Sequence, residues 1–131
     1  MTAIDPSHRD RPVVLIADNE PDIVELVRFE LERAGYDVLR AANGQQALDL
    51  AREHEPDLVL VDVHMPKLDG YQVTREIRAD DRLNPVPVMI MSGSVLESDV
   101  AQSFEAGANQ HMGKPFSPVA LRNEVQALLG R

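Results

Sequence analysis

The segment Leu58-Val59-Leu60-Val61-Asp62 runs four apolar residues directly into a carboxylate. A short continuous apolar run is typical of a strand that is covered on both faces of a parallel sheet. Three more segments have the same form, an apolar run that ends at a small polar or charged residue: Val13–Ala17 before Asp18 and Asn19, Val86–Met91 before Ser92, and Gln110–Gly113 before Lys114. If the four runs are neighbouring parallel strands, their terminal polar residues meet at one edge of the sheet.

Segments with helical spacing alternate with the apolar runs. The first helix is the best marked, with Asn19 as its predicted N-cap, Pro21 in its first turn and Gly35 as its stop. The other predicted helices are Asn43–Glu53, Tyr71–Arg78, Val95–Ala106 and Ser117–Leu129, and the predicted strands are Val13–Ala17, Tyr36–Arg40, Asp57–Val61, Val86–Met91 and Asn109–Met112. This alternation predicts a parallel sheet with helices on both faces and a ligand crevice at the carboxyl ends of the strands.

The composition limits the classes of protein that fit. A length of 131 residues predicts one domain, which we divide into a flexible leader over residues 1–12 and a folded part over residues 13–131. The net charge of −9 disfavours direct binding to nucleic acid or to an anionic membrane. No apolar run approaches the roughly 20 residues that span a bilayer, and the chain has no cysteine. The expected location is therefore the cytoplasm, with no disulfide or thiolate chemistry.

Asp62 is the first candidate for chemistry because it ends a wholly apolar strand. A carboxylate there is held on a rigid element and is suited to act as a nucleophile toward phosphorus, although an ordinary strand-end aspartate is an equal alternative for this residue alone. Asp18 favours the first interpretation. Two carboxylates a few ångströms apart repel by about 4 kcal/mol at an effective dielectric constant of about 20, and a divalent cation relieves that repulsion. Mg²⁺ is the expected ion because it prefers hard oxygen ligands.

Two further polar residues follow strands at the same predicted edge. Lys114 can reach the pocket as a point charge, and its bond to Pro115 is a candidate cis peptide; the alternative is a solvated lysine before a helix-starting proline. The Ser92 hydroxyl can donate to a phosphoryl oxygen or cap the next helix, for which Ser94 is the better predicted cap. The four histidines have no metal-ligand spacing, which gives no support for a zinc site.

These motifs in this order resemble the response-regulator receiver domain of two-component signalling. The resemblance rests on Asp18-Asn19-Glu20-Pro21, on the segment from Asp62 through Pro66 to Gly70, on Ser92-Gly93 and on Lys114-Pro115-Phe116, and it extends from about Val13 to Leu129. It implies a flavodoxin-like (CheY-like) doubly wound α/β sandwich with a five-stranded parallel sheet of order 2-1-3-4-5 and five helices.

The resemblance also assigns roles and partners. Asp62 would be phosphorylated by the phosphohistidine of a histidine kinase or a phosphotransfer protein. Asp18, Asn19 and Asp62 would hold Mg²⁺ together with the main-chain carbonyl of His64. Ser92 would be the switch hydroxyl, Lys114 the cation of the site, and His111 would replace the aromatic switch residue. A downstream protein would bind the surface of the fourth helix, the last strand and the last helix.

One departure from the family pattern matters for the metal. Receiver domains usually have a second acid where this chain has Asn19. An amide oxygen can coordinate Mg²⁺ directly, but it adds no negative charge. We therefore expect weaker metal affinity and phosphorylation at a higher Mg²⁺ concentration. No recognisable output domain follows the last predicted helix, so we expect either a stand-alone receiver or a piece of a larger regulator.

Three other functions fit the sequence less well. Phosphatases that use an aspartate nucleophile need a second aspartate two residues on, where this chain has His64, and there is no room for their large cap insertion. A degenerate receiver that binds partners without phosphorylation is favoured by Asn19 and disfavoured by Asp62 and Lys114. Dinucleotide binding fails because the turn after the first strand lacks the G-x-G-x-x-G phosphate cradle.

Overall fold

The chain forms a five-stranded sheet between two layers of helices. The computed structural model describes residues 10–94 and 96–130, so most of the predicted leader (residues 1–9) and the predicted first residue of the fourth helix, Val95, lie outside the described residues. The strands are β1 (Val13–Ala17), β2 (Asp37–Ala41), β3 (Leu58–Asp62), β4 (Val88–Ser92) and β5 (Gln110–Gly113). The helices are α1 (Pro21–Arg33), α2 (Gly44–His54), α3 (Gly70–Ala79), α4 (Glu97–Ala106) and α5 (Pro118–Leu129).

The sheet confirms the predicted topology. All neighbouring strands are parallel and their order is β2-β1-β3-β4-β5. Because the order reverses between β1 and β3, the crevice expected of such a sheet lies beyond the carboxyl ends of these two strands. Ala17 at the end of β1 is in register with Val61 of β3, so Asp18 and Asp62 follow side by side.

The apolar runs explain why the sheet is buried on both faces. Every residue of β3 and β4 is buried, and successive side chains point to opposite faces. Val59 and Ile90 belong to the core under α2 and α3, whereas their neighbours Leu60 and Met89 belong to the core under α1 and α5. The continuous apolar runs in the sequence thus supply two cores from the same strands.

Several predicted boundaries differ from the structure, each for a local reason. The N-cap of α1 is Glu20 rather than Asn19, and it makes no side-chain capping hydrogen bond, because the chain turns into the helix only at Pro21. The fourth strand begins at Val88 rather than Val86, since the Val86 amide donates to Leu83 in a turn and Pro87 has no amide hydrogen.

The start of α4 also differs from the prediction. Ser94 is the predicted cap, but the helix begins at Glu97 with Leu96 at the N-cap position and no side-chain capping hydrogen bond. The Ser94 hydroxyl donates to the carboxylate of Asp99 and accepts a hydrogen bond from the Leu96 amide. Ser94 therefore braces the loop ahead of the helix.

Two described residues of the predicted leader contact the sheet. The Arg11 guanidinium donates to the Asp37 carboxylate at 3.0 Å, and the Pro12 carbonyl accepts a hydrogen bond from the Asp37 amide at 2.9 Å. Residues 11 and 12 are thereby tied to the start of β2. No helix in the described part of the chain has both the length and the apolar content needed to cross a membrane.

Gly70 is required where the chain returns from the site to α3. A Cβ atom at this position would lie 2.5 Å from the Asp62 carbonyl oxygen, which is backbone and cannot move aside. We expect Gly70→Ala to lower the free energy of unfolding by about 2 kcal/mol, as overpacking does elsewhere. Urea denaturation would measure the change. Gly93→Ala is the matched control because a Cβ there meets nothing within 4 Å; equal stabilities of the two variants would contradict the prediction.

Candidate functional site

A shallow cleft of about 600 Å³ opens at the carboxyl ends of the strands. Its lining includes side chains from the ends of β1 and β3 and from the segment after β5, namely Asn19, Glu20, Asp62, His64, Lys114 and Pro115. Asp18 directly follows β1, is buried, and accepts a hydrogen bond from the cleft residue Lys114. The structure therefore brings together, at one sheet edge, residues that are up to 96 positions apart in the sequence.

Lys114 is the centre of the polar contacts. Its Nζ atom donates to Asp18 Oδ2 at 2.7 Å and lies 3.1 Å from Asp62 Oδ1. The exposed fractions of the three side chains are 11% for Lys114, 0% for Asp18 and 6% for Asp62, so these ion pairs are shielded from water. The long lysine side chain has to cross the end of β4 to reach them, since β4 separates β5 from β3.

Backbone contacts hold the segments that carry the site residues. The Lys114 amide donates to the carbonyl of Ser92 at 2.7 Å, which ties the residue after β5 to the end of β4. The Lys114–Pro115 peptide bond is cis, in agreement with the prediction made from the sequence. The Pro66 carbonyl accepts hydrogen bonds from the amides of Gly44 and Leu68, which holds the loop after Asp62 against α2.

Burial and charge shift the ionisation of the central pair. Burial raises the pKa of Asp62, the charge of Asp18 raises this pKa further, and Lys114 opposes both. Burial alone would lower the pKa of Lys114, but its hydrogen bond to Asp18 and the charges of Asp18 and Asp62 outweigh burial and raise it. The raised pKa keeps Lys114 an ammonium at neutral pH, in contact with the side chains of Asp18 and Asp62.

The donor set fits Mg²⁺. Carboxylate oxygens of Asp18, Glu20 and Asp62 all lie within 4.8 Å of one another. Three carboxylates and one ammonium leave a formal charge of −2, and hard oxygen donors around an open cleft are what Mg²⁺ prefers. From the sequence, Glu20 is identified only as part of the Asp18-Asn19-Glu20-Pro21 motif, with no predicted role in the cleft. The available signal was its position two residues after Asp18.

Asn19 and His64 occupy the rim of the cleft. Both side chains are exposed and line it. Their predicted roles as metal ligands, Asn19 through its amide and His64 through its main-chain carbonyl, stay predictions.

Ser92 and His111 are both hydrogen-bonded to Ser94, in the loop beside the cleft. Ser92 is buried at the end of β4, and its hydroxyl oxygen accepts a hydrogen bond from the Ser94 amide. His111 Nε2 lies 3.1 Å from the Ser94 carbonyl, so this nitrogen is the donor, and Nδ1 lies 2.7 Å from the Ser103 hydroxyl. His111 thus connects β5 both to the loop after Ser92 and to α4. This contact is compatible with its predicted switch role, which stays a prediction.

The sheet order and this cleft define an α/β protein with an acidic site at its topological switch point. Residues 14–126 match the family described as the response regulator receiver domain, and the chain belongs to this family. It is therefore a receiver domain of two-component response regulators.

Relatives show how much of a regulator the chain represents. It is 39% identical over 118 residues to the alkaline phosphatase synthesis transcriptional regulatory protein PhoP of Bacillus subtilis, covering 90% of this chain and 48% of PhoP. It is 34% identical over 120 residues to the polar-differentiation response regulator DivK of Brucella anthropi, covering 92% of this chain and 97% of DivK. The chain spans about half the length of several curated relatives that it matches, including PhoP.

One similar solved structure is a receiver domain that holds a metal ion. The receiver domain of sensor histidine kinase PA1611 from Pseudomonas aeruginosa is 31% identical and superposes with a TM-score of 0.85. The match covers 92% of this chain and 99% of that one. That receiver domain holds a magnesium ion coordinated in its active site cleft.

Proposed function

We propose that Asp62 accepts a phosphoryl group, in a Mg²⁺-dependent reaction, from the phosphohistidine of a histidine kinase or a histidine phosphotransfer protein. The observation that carries the proposal is the position of Lys114 Nζ, 2.7 Å from Asp18 and 3.1 Å from Asp62 in an open acidic cleft. Family membership and the magnesium of the PA1611 receiver domain support the same conclusion.

In the proposed transfer an oxygen of the Asp62 carboxylate attacks phosphorus in line with the leaving group. The P–O bond to Asp62 forms while the P–N bond of the phosphohistidine breaks, and the imidazole leaves with the electron pair of that bond. Lys114 lies where it can offset charge on a phosphoryl oxygen. Asp18, Asp62 and the rim residue Asn19 would hold Mg²⁺, which supplies further neutralisation of the phosphoryl oxygens.

The proposed output is a change of shape beside the cleft. Phosphorylation replaces the single negative charge of the Asp62 carboxylate with about −1.5 to −2 charges on the phosphoryl group, next to Ser92 and Lys114. A hydroxyl or an ammonium drawn toward that charge displaces the loop between β4 and α4, to which His111 is hydrogen-bonded. A downstream protein with different affinities for the two shapes of the α4, β5 and α5 surface then reads the signal.

Two rival functions predict different chemistry. A degenerate receiver binds its partners with Asp62 unmodified, and a phosphatase turns over many phosphate monoesters. We propose a phosphoacceptor that only assists its own phosphorylation and dephosphorylation, because His64 stands where an aspartate-type phosphatase has its general acid. The cytoplasmic location stays a prediction.

Intact-protein mass spectrometry tests the proposal. After incubation with acetyl phosphate and Mg²⁺ we expect a gain of one phosphoryl mass, and none when a chelator removes the metal. A chain that gains no mass at saturating Mg²⁺, with acetyl phosphate or with a phosphorylated kinase as donor, would support the degenerate receiver. Multiple-turnover release of phosphate from unrelated monoesters would support the phosphatase.

A further inference from the structure

The acid pair that receiver domains usually carry after the first strand is incomplete in this chain. Asp18 is followed by Asn19, an amide that adds no negative charge to the cleft. We propose that Glu20 supplies the missing negative charge, so that its carboxylate contributes to the affinity of the cleft for Mg²⁺. The inference rests on the proposed function, because it concerns the affinity of the same cleft for Mg²⁺.

The geometry places Glu20 within reach of the site. One of its carboxylate oxygens, Oε1, lies 3.3 Å from Lys114 Nζ, and its carboxylate belongs to the group of oxygens within 4.8 Å of one another. The Glu20 side chain therefore lies at the cleft, directly before the first residue of α1.

The backbone holds Glu20 in this position. Its amide donates to Asp18 Oδ1 at 2.9 Å, and Pro21 fixes the first residue of α1 directly behind it. The side chain itself is 60% exposed, so water screens part of its charge. A partly screened carboxylate on a fixed backbone is suited to take part in binding an ion that enters from solvent.

The net charge of the cleft gives a physical reason why Glu20 should strengthen Mg²⁺ binding. Asp18, Glu20 and Asp62 against Lys114 give the cleft a formal charge of −2, which one divalent cation neutralises. Without the Glu20 carboxylate the cleft would have a charge of only −1, because Asn19 is neutral. Cation affinity in oxygen-donor sites depends on the number of ligand charges.

Two other roles for Glu20 would leave metal affinity unchanged. Its carboxylate could serve only to orient Lys114, or it could act only as an acid at the N-cap that favours the helix dipole of α1. Asp22 is an exposed acid in the first turn of the same helix that does not line the cleft. It provides the matched control for both charge and helix position.

Calorimetric titration with Mg²⁺ alone, without any phosphodonor, tests the inference. We expect Glu20→Gln to weaken Mg²⁺ binding about tenfold, a size typical of outer-shell groups around metals, and Asp22→Asn to change it less than about twofold. In an Asn19→Asp background, where the acid pair is complete, Glu20→Gln should weaken binding about twofold or less. This dependence on residue 19 is a result that a lysine-orienting role or a helix-dipole role would not produce.

The outcomes separate this inference from the proposed function. If the native chain binds Mg²⁺ and Glu20→Gln binds it equally well, Glu20 has no part in the site while the phosphoacceptor function stands. If Mg²⁺ binds only after the Asn19→Asp substitution, the Glu20 inference is overturned and the native chain behaves as a degenerate receiver. Equal losses from Glu20→Gln in the native and the Asn19→Asp backgrounds would also overturn compensation.

Discussion

Replacing Asp62 with asparagine should abolish phosphoryl uptake completely and, in the metal-free protein at pH 7, raise the midpoint of thermal unfolding by a few degrees. The first effect follows because an amide oxygen is not a nucleophile toward phosphorus in this reaction. The second follows because Asp62 is buried beside Asp18, so its negative charge destabilises the folded state. The Asp62 carboxylate that phosphoryl uptake requires therefore lowers the stability of the folded state.

The sign of the stability effect follows from the raised pKa of Asp62. Burial and then the charge of Asp18 make the folded state hold the Asp62 proton more tightly than the unfolded state does. The contribution of Asp62 to stability is therefore most favourable at low pH and is lost as the pH rises above the ordinary aspartate pKa of 3.8 through the folded pKa. At a pH above the folded pKa the carboxylate is ionised and unfavourable, and asparagine removes this cost.

Thermal unfolding at pH 4 and pH 7, with intact mass after acetyl phosphate treatment, measures both effects. The Asp62→Asn variant should exceed the native chain in thermal midpoint by more at pH 7 than at pH 4, and added Mg²⁺ should stabilise the variant less. Asp81→Asn is the control, since Asp81 is an exposed carboxylate in the loop before β4, away from the cleft. A phosphoryl gain in the Asp62→Asn variant would place the acceptor elsewhere.

The sheet and its polar edge could be predicted because both depend on short segments of the sequence. Four apolar runs that each stop at a polar residue require buried strands, and parallel pairing then brings Asp18 and Asp62 together without further information. The position of Lys114 was equally accessible, since it follows the last run. That its Nζ atom crosses the end of β4 to reach Asp18 depends on side-chain packing and had to be seen in the structure.

The details that could not be predicted from the sequence depend on particular hydrogen bonds, one of them local and two of them between separate segments. Asn19 has the chemistry of an N-cap, but the chain turns into α1 one residue later because Asp18 Oδ1 already binds the Glu20 amide. The same turn carries the Glu20 side chain over the cleft. The hydrophobic periodicity of the sequence could not predict the hydrogen-bond partners of His111. In the structure they are Ser94 in the neighbouring loop and Ser103 in α4.

Lys114→Met should produce the largest loss of stability among these variants, about 3–5 kcal/mol at pH 7, which is the cost of removing one partner from a buried ion pair. Asp18, whose side chain is fully buried, and Asp62 would then face each other without a cation. Acidification should recover much of the loss, because a protonated Asp62 needs no counter-charge. Phosphoryl uptake should also slow by about 10²-fold, since one group that offsets charge on the phosphoryl oxygens is gone.

Urea denaturation at pH 5 and pH 7, with and without Mg²⁺, measures these effects. Lys67→Met is the matched control because Lys67 is the other lysine of the sequence and is exposed. Mg²⁺ should stabilise the Lys114→Met variant more than the native chain, since the ion takes over the neutralisation of the carboxylates. Combining Lys114→Met with Asp62→Asn should restore most of the stability, because only the charge of Asp18 then stays buried. If that double variant is as unstable as Lys114→Met alone, the lysine acts through packing, and charge neutralisation is not its main contribution.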